Sequence, residues 1–158
     1  MIFAAIDPGA ISAAIAVFDD AAPLLVDDLG TVDGMVDGIA LVKLLQDMRI
    51  AQVVIERVHS MPKQGVASTF KFGMGVGVIH GVLSALWLPI TLVTPAQWKG
   101  FHKLDADKEK ARALALRKWP EHHDRLQRKK DTNRAEALLI GDWYYVHCVV
   151  PRIPELFA

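Results

Sequence analysis

The period of the hydrophobic pattern changes along the chain, and the changes mark out its elements. Ile2–Asp7, Ser12–Phe18 and Leu24–Leu29 are short runs rich in Ala, Val and Ile, joined by Asp7-Pro8-Gly9 and Asp19-Asp20-Ala21-Ala22-Pro23. Apolar runs separated by such turn formers predict an antiparallel meander. Met35–Met48 then sets Val36, Ile39, Ala40, Leu44 and Met48 at helical spacing, and Ala51–Ile55 (AQVVI) returns to a compact apolar strand that ends at Glu56. Strand, helix, strand in succession predicts a parallel neighbour in the same sheet. After a loop, Val66–Leu88 predicts one long helix, Ile90–Thr94 a strand and Pro95–Trp98 a helical turn. Lys108–Trp119 predicts a helix capped by Asp105 or Asp107 and stopped by Pro120. Thr132–His147 predicts the last helix, with Asp131 as its N-cap, and the tail Val149–Ala158, with two prolines, is expected to pack irregularly. No repeat or linker interrupts this order, which predicts one mixed α/β domain over 1–158.

Composition narrows the class. A chain of 158 residues suits one core, and 52% hydrophobic with 23% charged residues excludes a disordered protein. Cys148 is the lone cysteine, which excludes an internal disulfide and a thiolate zinc cluster and suggests a reducing compartment. MIFAAIDPGA has no basic region and reaches Asp7 early, so it does not read as a secretory leader. The longest apolar stretch, Phe72–Pro89, contains His80 and four glycines and is not expected to span a bilayer. The net charge of zero hides an asymmetry: Lys99–Arg134 holds twelve of the eighteen basic residues against six acidic ones. A basic face of this kind binds phosphate backbones, although a pair of solvated helices has the same composition.

Candidate chemistry lies in the carboxylates. Asp7 ends an apolar strand, and Pro8-Gly9 turns the chain away, leaving its carboxylate at the strand's carboxyl edge, where open α/β sheets bind ligands. Turn initiation is the plainer role of an Asp-Pro-Gly. Glu56 repeats the placement after AQVVI, in a position costly for a glutamate without a partner or cation. Two carboxylates at adjacent strand ends repel unless a cation lies between them, which describes an oxygen-ligand site for a divalent metal. Glu136, flanked by Ala135 and Ala137, lies early in the last helix, where small neighbours permit close approach to the sheet; Asn133 stands three residues earlier on the same face, and Asp131 at the cap. Cys148 lies beyond this motif and no serine has a suitable partner, so covalent catalysis is not indicated.

Asp7-Pro8-Gly9, Ile55-Glu56 and Arg134-Ala135-Glu136-Ala137 occur in an order that resembles RuvC-type Holliday junction resolvases. Gln64-Gly65 and Ser68-Thr69-Phe70 before a glycine-bearing helix, Thr94-Pro95-Ala96-Gln97-Trp98-Lys99 after a strand, and Lys108–Pro120 agree with it; together they cover about residues 1–145. The resemblance implies an RNase H-like fold, a mixed five-stranded sheet with antiparallel first hairpins and a parallel remainder, flanked by helices. It also implies a cytoplasmic homodimer, in a bacterial or phage-infected cell, acting on branched DNA with two Mg²⁺ or Mn²⁺ ions per site and no small-molecule cofactor. The ligands carried over are Asp7, Glu56 and Glu136, with Asp131 or Asn133 as the fourth. Family members usually have Asp or His at the place of Asn133, and the charge of Asp131 favours it slightly. Lys99 and Lys108 match phosphate-contacting positions, and Arg128, Lys129 and Lys130, with Arg125, would follow the backbone. His59 stands where relatives carry an aromatic wedge; Lys63, Gln64, Ser68 and Phe70, with Met61 and Pro62, complete the junction-facing loop. Gly73, Gly77, His80 and Gly81 fall on the helix that forms the family's two-fold interface. An RNase H-like nuclease for RNA–DNA hybrids, a junction binder that does not cut, and a nucleotide-binding fragment of the sugar-kinase or actin type are the competing readings.

Overall fold

Alternation along the first strand sets up the whole architecture. β1 (Ile2–Asp7) sends Phe3 and Ala5 to one face of a sheet and Ala4 and Ile6 to the other, all four fully buried. It pairs antiparallel with β2 (Ala14–Asp19), which pairs antiparallel with β3 (Ala22–Asp28). The structure, a computed structural model, describes residues 1–9, 12–59 and 65–152; Lys63 and Gln64, with Met61 and Pro62, lie outside them, as does the end of the tail.

The chain next forms a two-stranded hairpin, β4 (Thr31–Val32) and β5 (Met35–Val36), before α1 (Gly38–Asp47). The expected helix over Met35–Met48 therefore starts later. Asp33 and Gly34 both have positive φ (51° and 74°), as a two-residue hairpin turn requires, and Asp37 caps the helix by accepting from the backbone of Ile39 and Ala40 at 3.0 Å each. β6 (Gln52–Glu56) lies parallel to β1, and β7 (Ile90–Val93) parallel to β6, giving the order β3-β2-β1-β6-β7. Between them runs α2 (Val66–Ala85), somewhat shorter than expected.

The two faces carry separate cores. On one, Ala4, Ile6, Ile15, Val17, Val53 and Ile55 meet Leu41 and Leu45 of α1 and Ile79 and Leu83 of α2. α2 gives only those two residues to burial, and it is long and apolar enough to cross a membrane by length and composition, contrary to the expectation from the sequence. Its glycines do not lower its hydropathy enough to exclude a span, and here the helix lies against the sheet. The other face carries α3 (Pro95–Phe101), α4 (Lys108–Lys118), the short α5 (His123–Leu126) and α6 (Thr132–Tyr144). α6 is enclosed on all sides from Arg134 to Gly141. Phe3 stacks on Phe18 with ring centroids 5.2 Å apart, and Gly141 passes so near the Phe18 ring that any β-carbon there would overlap it.

Candidate active site

Strand parity brings the carboxylates to one side. Asp7 shares the parity of Phe3 and Ala5, and Glu56 that of Val54, so both point to the face covered by α6. Since Ile6 is in register with Ile55 on the parallel neighbour, the two acids end adjacent strands side by side. α6 supplies the third, Glu136, which is buried although it sits among apolar neighbours. Asp7, Glu56 and Glu136 line one cavity of about 300 Å³ together with Gly9, His59, Phe72, Lys99 and Lys108.

The electrostatics reflect the crowding. Asp7 is held well above the usual carboxylate range by burial, then by Glu136 and Glu56, and its Oδ2 is buried without a hydrogen-bond partner. Burial, followed by Glu136, pushes Glu56 up to about 7. Glu136 is balanced by two ammonium groups, Lys99 at 3.4 Å and Lys108 at 3.3 Å. Among the described residues no three carboxylate, imidazole or thiolate groups converge into a ready-made metal cluster. The donor set nevertheless suits a hard divalent cation: three carboxylates, two of them raised above their ordinary range by burial and mutual repulsion, and one buried oxygen without a partner.

The two candidates for a fourth ligand part company. Asn133 sits at the site's edge; its Oδ1 accepts from Lys108 Nζ at 3.1 Å and its Nδ2 donates to the Ser12 carbonyl at 2.8 Å. Gly9 makes that possible, because a β-carbon there would lie 2.5 Å from Asn133 Nδ2 and from the Ser12 oxygen. Asp131, expected as the α6 cap, gives that helix no side-chain cap. It accepts instead from the Arg128 backbone at 2.9 Å and from the Arg128 guanidinium at 2.8 Å, with Arg134 at 3.7 Å. Burial pushes its carboxyl up, but the Arg128 hydrogen bonds outweigh this and hold it below its ordinary value.

The other positions predicted from sequence distribute around this centre. His59 is exposed and lines the cavity; Ser68 and Phe70 are exposed at the start of α2, Phe70 to 69%. Lys129 and Lys130 are exposed before α6, while Arg128 is half-exposed but bound to Asp131. Gly73, Gly77 and Gly81 face open space, where an added β-carbon would meet nothing within 4 Å, and His80 is partly buried. Sequence reasoning missed Arg57, exposed on the cavity rim, and the task of Arg134. Arg134 grips Asp28 with two hydrogen bonds of 3.0 and 2.7 Å, pinning the start of α6 to the end of β3. The Asp28–Arg134 separation of 106 residues left no local signal for that pair, whereas Arg57 was legible as a basic residue directly after Glu56.

No family model matches the sequence, and no curated protein matches it. Solved structures do. The chain is similar to RuvC of Thermus thermophilus in complex with Holliday junction substrate, with 18% identity and a TM-score of 0.60 over 91% of this chain and 94% of that one. Another structure of T. thermophilus RuvC gives 17% identity and a TM-score of 0.60 over 91% and 95%. The Fowlpox virus resolvase, in complex with substrate Holliday junction DNA, gives 15% and 0.61 over 92% and 97%. The likeness is one of fold: the chain has the RNase H-like fold of RuvC, as the ordered motifs imply.

Proposed function

We propose that this chain is a divalent-metal-dependent endonuclease that binds four-way and branched DNA and resolves it with paired symmetric nicks as a homodimer. The observation that carries the reading is that Asp7, Glu56 and Glu136 line one cavity at the carboxyl ends of β1 and β6, beside Lys99 and Lys108. The shared fold supports the substrate class, since two of the similar structures are complexes with junction DNA.

Asp7, Glu56 and Glu136 would hold the ions, two of Mg²⁺ or Mn²⁺, with the Asn133 carbonyl oxygen favoured as fourth donor because two guanidinium groups already claim Asp131. Such ions supply charge neutralisation and a water of lowered pKa for in-line hydrolysis of a phosphodiester. The chain's own groups do the rest. Lys99 and Lys108 hold Glu136 and present positive charge where a phosphate would enter. Arg134, through Asp28, fixes the helix that carries Glu136. Lys129 and Lys130 offer charge to a backbone passing that end of α6. The open glycine face of α2 supports a second copy there, because no packing within the described chain repays the helix propensity those glycines forfeit.

The test is incubation with a synthetic four-way junction, a linear duplex and an RNA–DNA hybrid in Mg²⁺, with Asp7→Asn in parallel. Paired nicks on the junction, lost in the variant, are expected. Tight junction binding without cutting in Mg²⁺ or Mn²⁺ would make the protein a binder, and preference for the hybrid would move it to that substrate.

A further inference from the structure

A second cavity, about 250 Å³, adjoins the carboxylate site, and Gly9 and Phe72 line both. Its far wall is the β4–β5 hairpin and its near wall the first turns of α2. No carboxylate lines it. Lys71 does, and its ammonium group lies over the Gly34 backbone, 2.7 Å from where a β-carbon would stand. The positive φ of Gly34 shapes the turn, and the missing side chain leaves Lys71 its place. Among the described residues no acidic group pairs with Lys71. Hydroxyls of Thr31 and Ser68 share the rim, while Met35 and the Phe72 ring make the walls apolar.

A cation and hydroxyls over an aromatic and aliphatic wall, without competing negative charge, suit a nucleotide: phosphate to Lys71, base or sugar to Phe72 and Met35. The neighbouring cavity sets three carboxylates against Arg57, Lys99 and Lys108, whereas this one holds a lysine with no carboxylate on its lining. We infer that the hairpin, Lys71 and Phe72 form a nucleotide subsite for the residue adjoining the phosphate presented to Asp7, Glu56 and Glu136. This rests on the nucleic-acid-cutting reading of that site, and it gives the hairpin a task in substrate selection: the subsite's walls sort what flanks the cut.

The experiment measures binding in EDTA, where cutting is absent, of four probes: a four-way junction, a linear duplex, an RNA–DNA hybrid and a single strand. The tightest-bound probe then carries 5-iodouracil at successive positions around its crossover or centre, and photocrosslinks are mapped by mass spectrometry. Crosslinks on residues 31–36 of the hairpin, which lines the second cavity and not the carboxylate one, are expected. Lys71→Gln should weaken binding about three- to tenfold and lower the salt slope by about one phosphate contact; Thr31→Val, a change without charge, should weaken binding and leave the slope alone. Crosslinks confined to α4 and the carboxylate cavity, with Lys71→Gln binding as the wild type does, would overturn the subsite while the junction reading stands. Crosslinks in the subsite from a hybrid or single strand that outcompetes the junction would keep the subsite and sink the junction reading. Failure of all four probes to bind would overturn both.

Discussion

Protonation ties the stability of the site's carboxyls to their readiness for a cation. Glu56 sits near 7 in the folded chain against an ordinary 4.5, and Asp7 is displaced in the same direction. Between those values these two carboxyls hold more protons in the folded chain than in the unfolded one, so the stability they contribute is greatest on the acid side and declines as pH rises through about 7. Burial lowers His102, which acts the other way below its ordinary 6.5. Thermal melts in EDTA should therefore show Tm falling from about pH 6.5 to pH 8, and millimolar Mg²⁺ should oppose the fall most at the alkaline end. Asp7→Asn removes a buried acid that repels two others. It should raise Tm in EDTA by about 2–4 °C, roughly 1 kcal/mol for a chain of this size, and lose most of the Mg²⁺-dependent shift. A lower Tm would mean that Asp7 is held by something other than its crowded neighbours. Asn133→Asp tests the amide: it replaces the donor to the Ser12 carbonyl with a second acceptor, and chemical denaturation should show a loss of about 1–3 kcal/mol at neutral pH.

Elements are where the sequence and the structure can be weighed against each other. The sheet was legible because its strands alternate or run apolar between turn formers, and the Asp7–Glu56 pairing follows from parity once β1 and β6 are parallel neighbours. The start of α1 was misread because Val36 and Ile39 fit a helical spacing that outweighed a stronger local signal, Asp33-Gly34, the favoured pair for a tight hairpin. Asp131 stands at the N-cap position of α6 as expected, but its carboxylate turns away from the helix to Arg128 and Arg134, each three residues off, a local competition that an acid before a helix does not announce. Gly141 had no signal at all, since its constraint comes from Phe18 on another element. That contact yields a test of the α6–sheet packing. Gly141→Ala should cost about 1–3 kcal/mol or more through overpacking, seen as a drop in Tm, and Phe18→Leu in the same chain should recover part of it. Full additivity of the two changes would show that helix and sheet do not meet as described.

At the scale of the molecule the unresolved demand is what covers α2. Val66 is 87% exposed, Phe70 69% and Met74 40%, and Gly73, Gly77 and Gly81 face open space. An apolar helix face left to water is costly, and a second copy or a lipid bilayer could cover it. Two arguments favour the second copy. The buried side of the helix, Ile79 and Leu83, is fastened to the sheet, so inserting α2 into a bilayer would strip one core from the protein. Also, two sites related by a two-fold axis match the two strands that must be cut to resolve a four-way junction. Gly77→Glu decides between them. Leaving glycine in a helix gains about 1 kcal/mol of propensity, and the new side chain meets nothing within its own chain, so the fold should melt no lower than the wild type. Sedimentation should nevertheless show the wild type as a dimer and the variant as a monomer, and on a junction the variant should leave single nicks in place of paired ones. A wild type that sediments as a monomer and floats with lipid vesicles would give the face to a membrane instead, and the paired-nick mechanism would lose its structural basis.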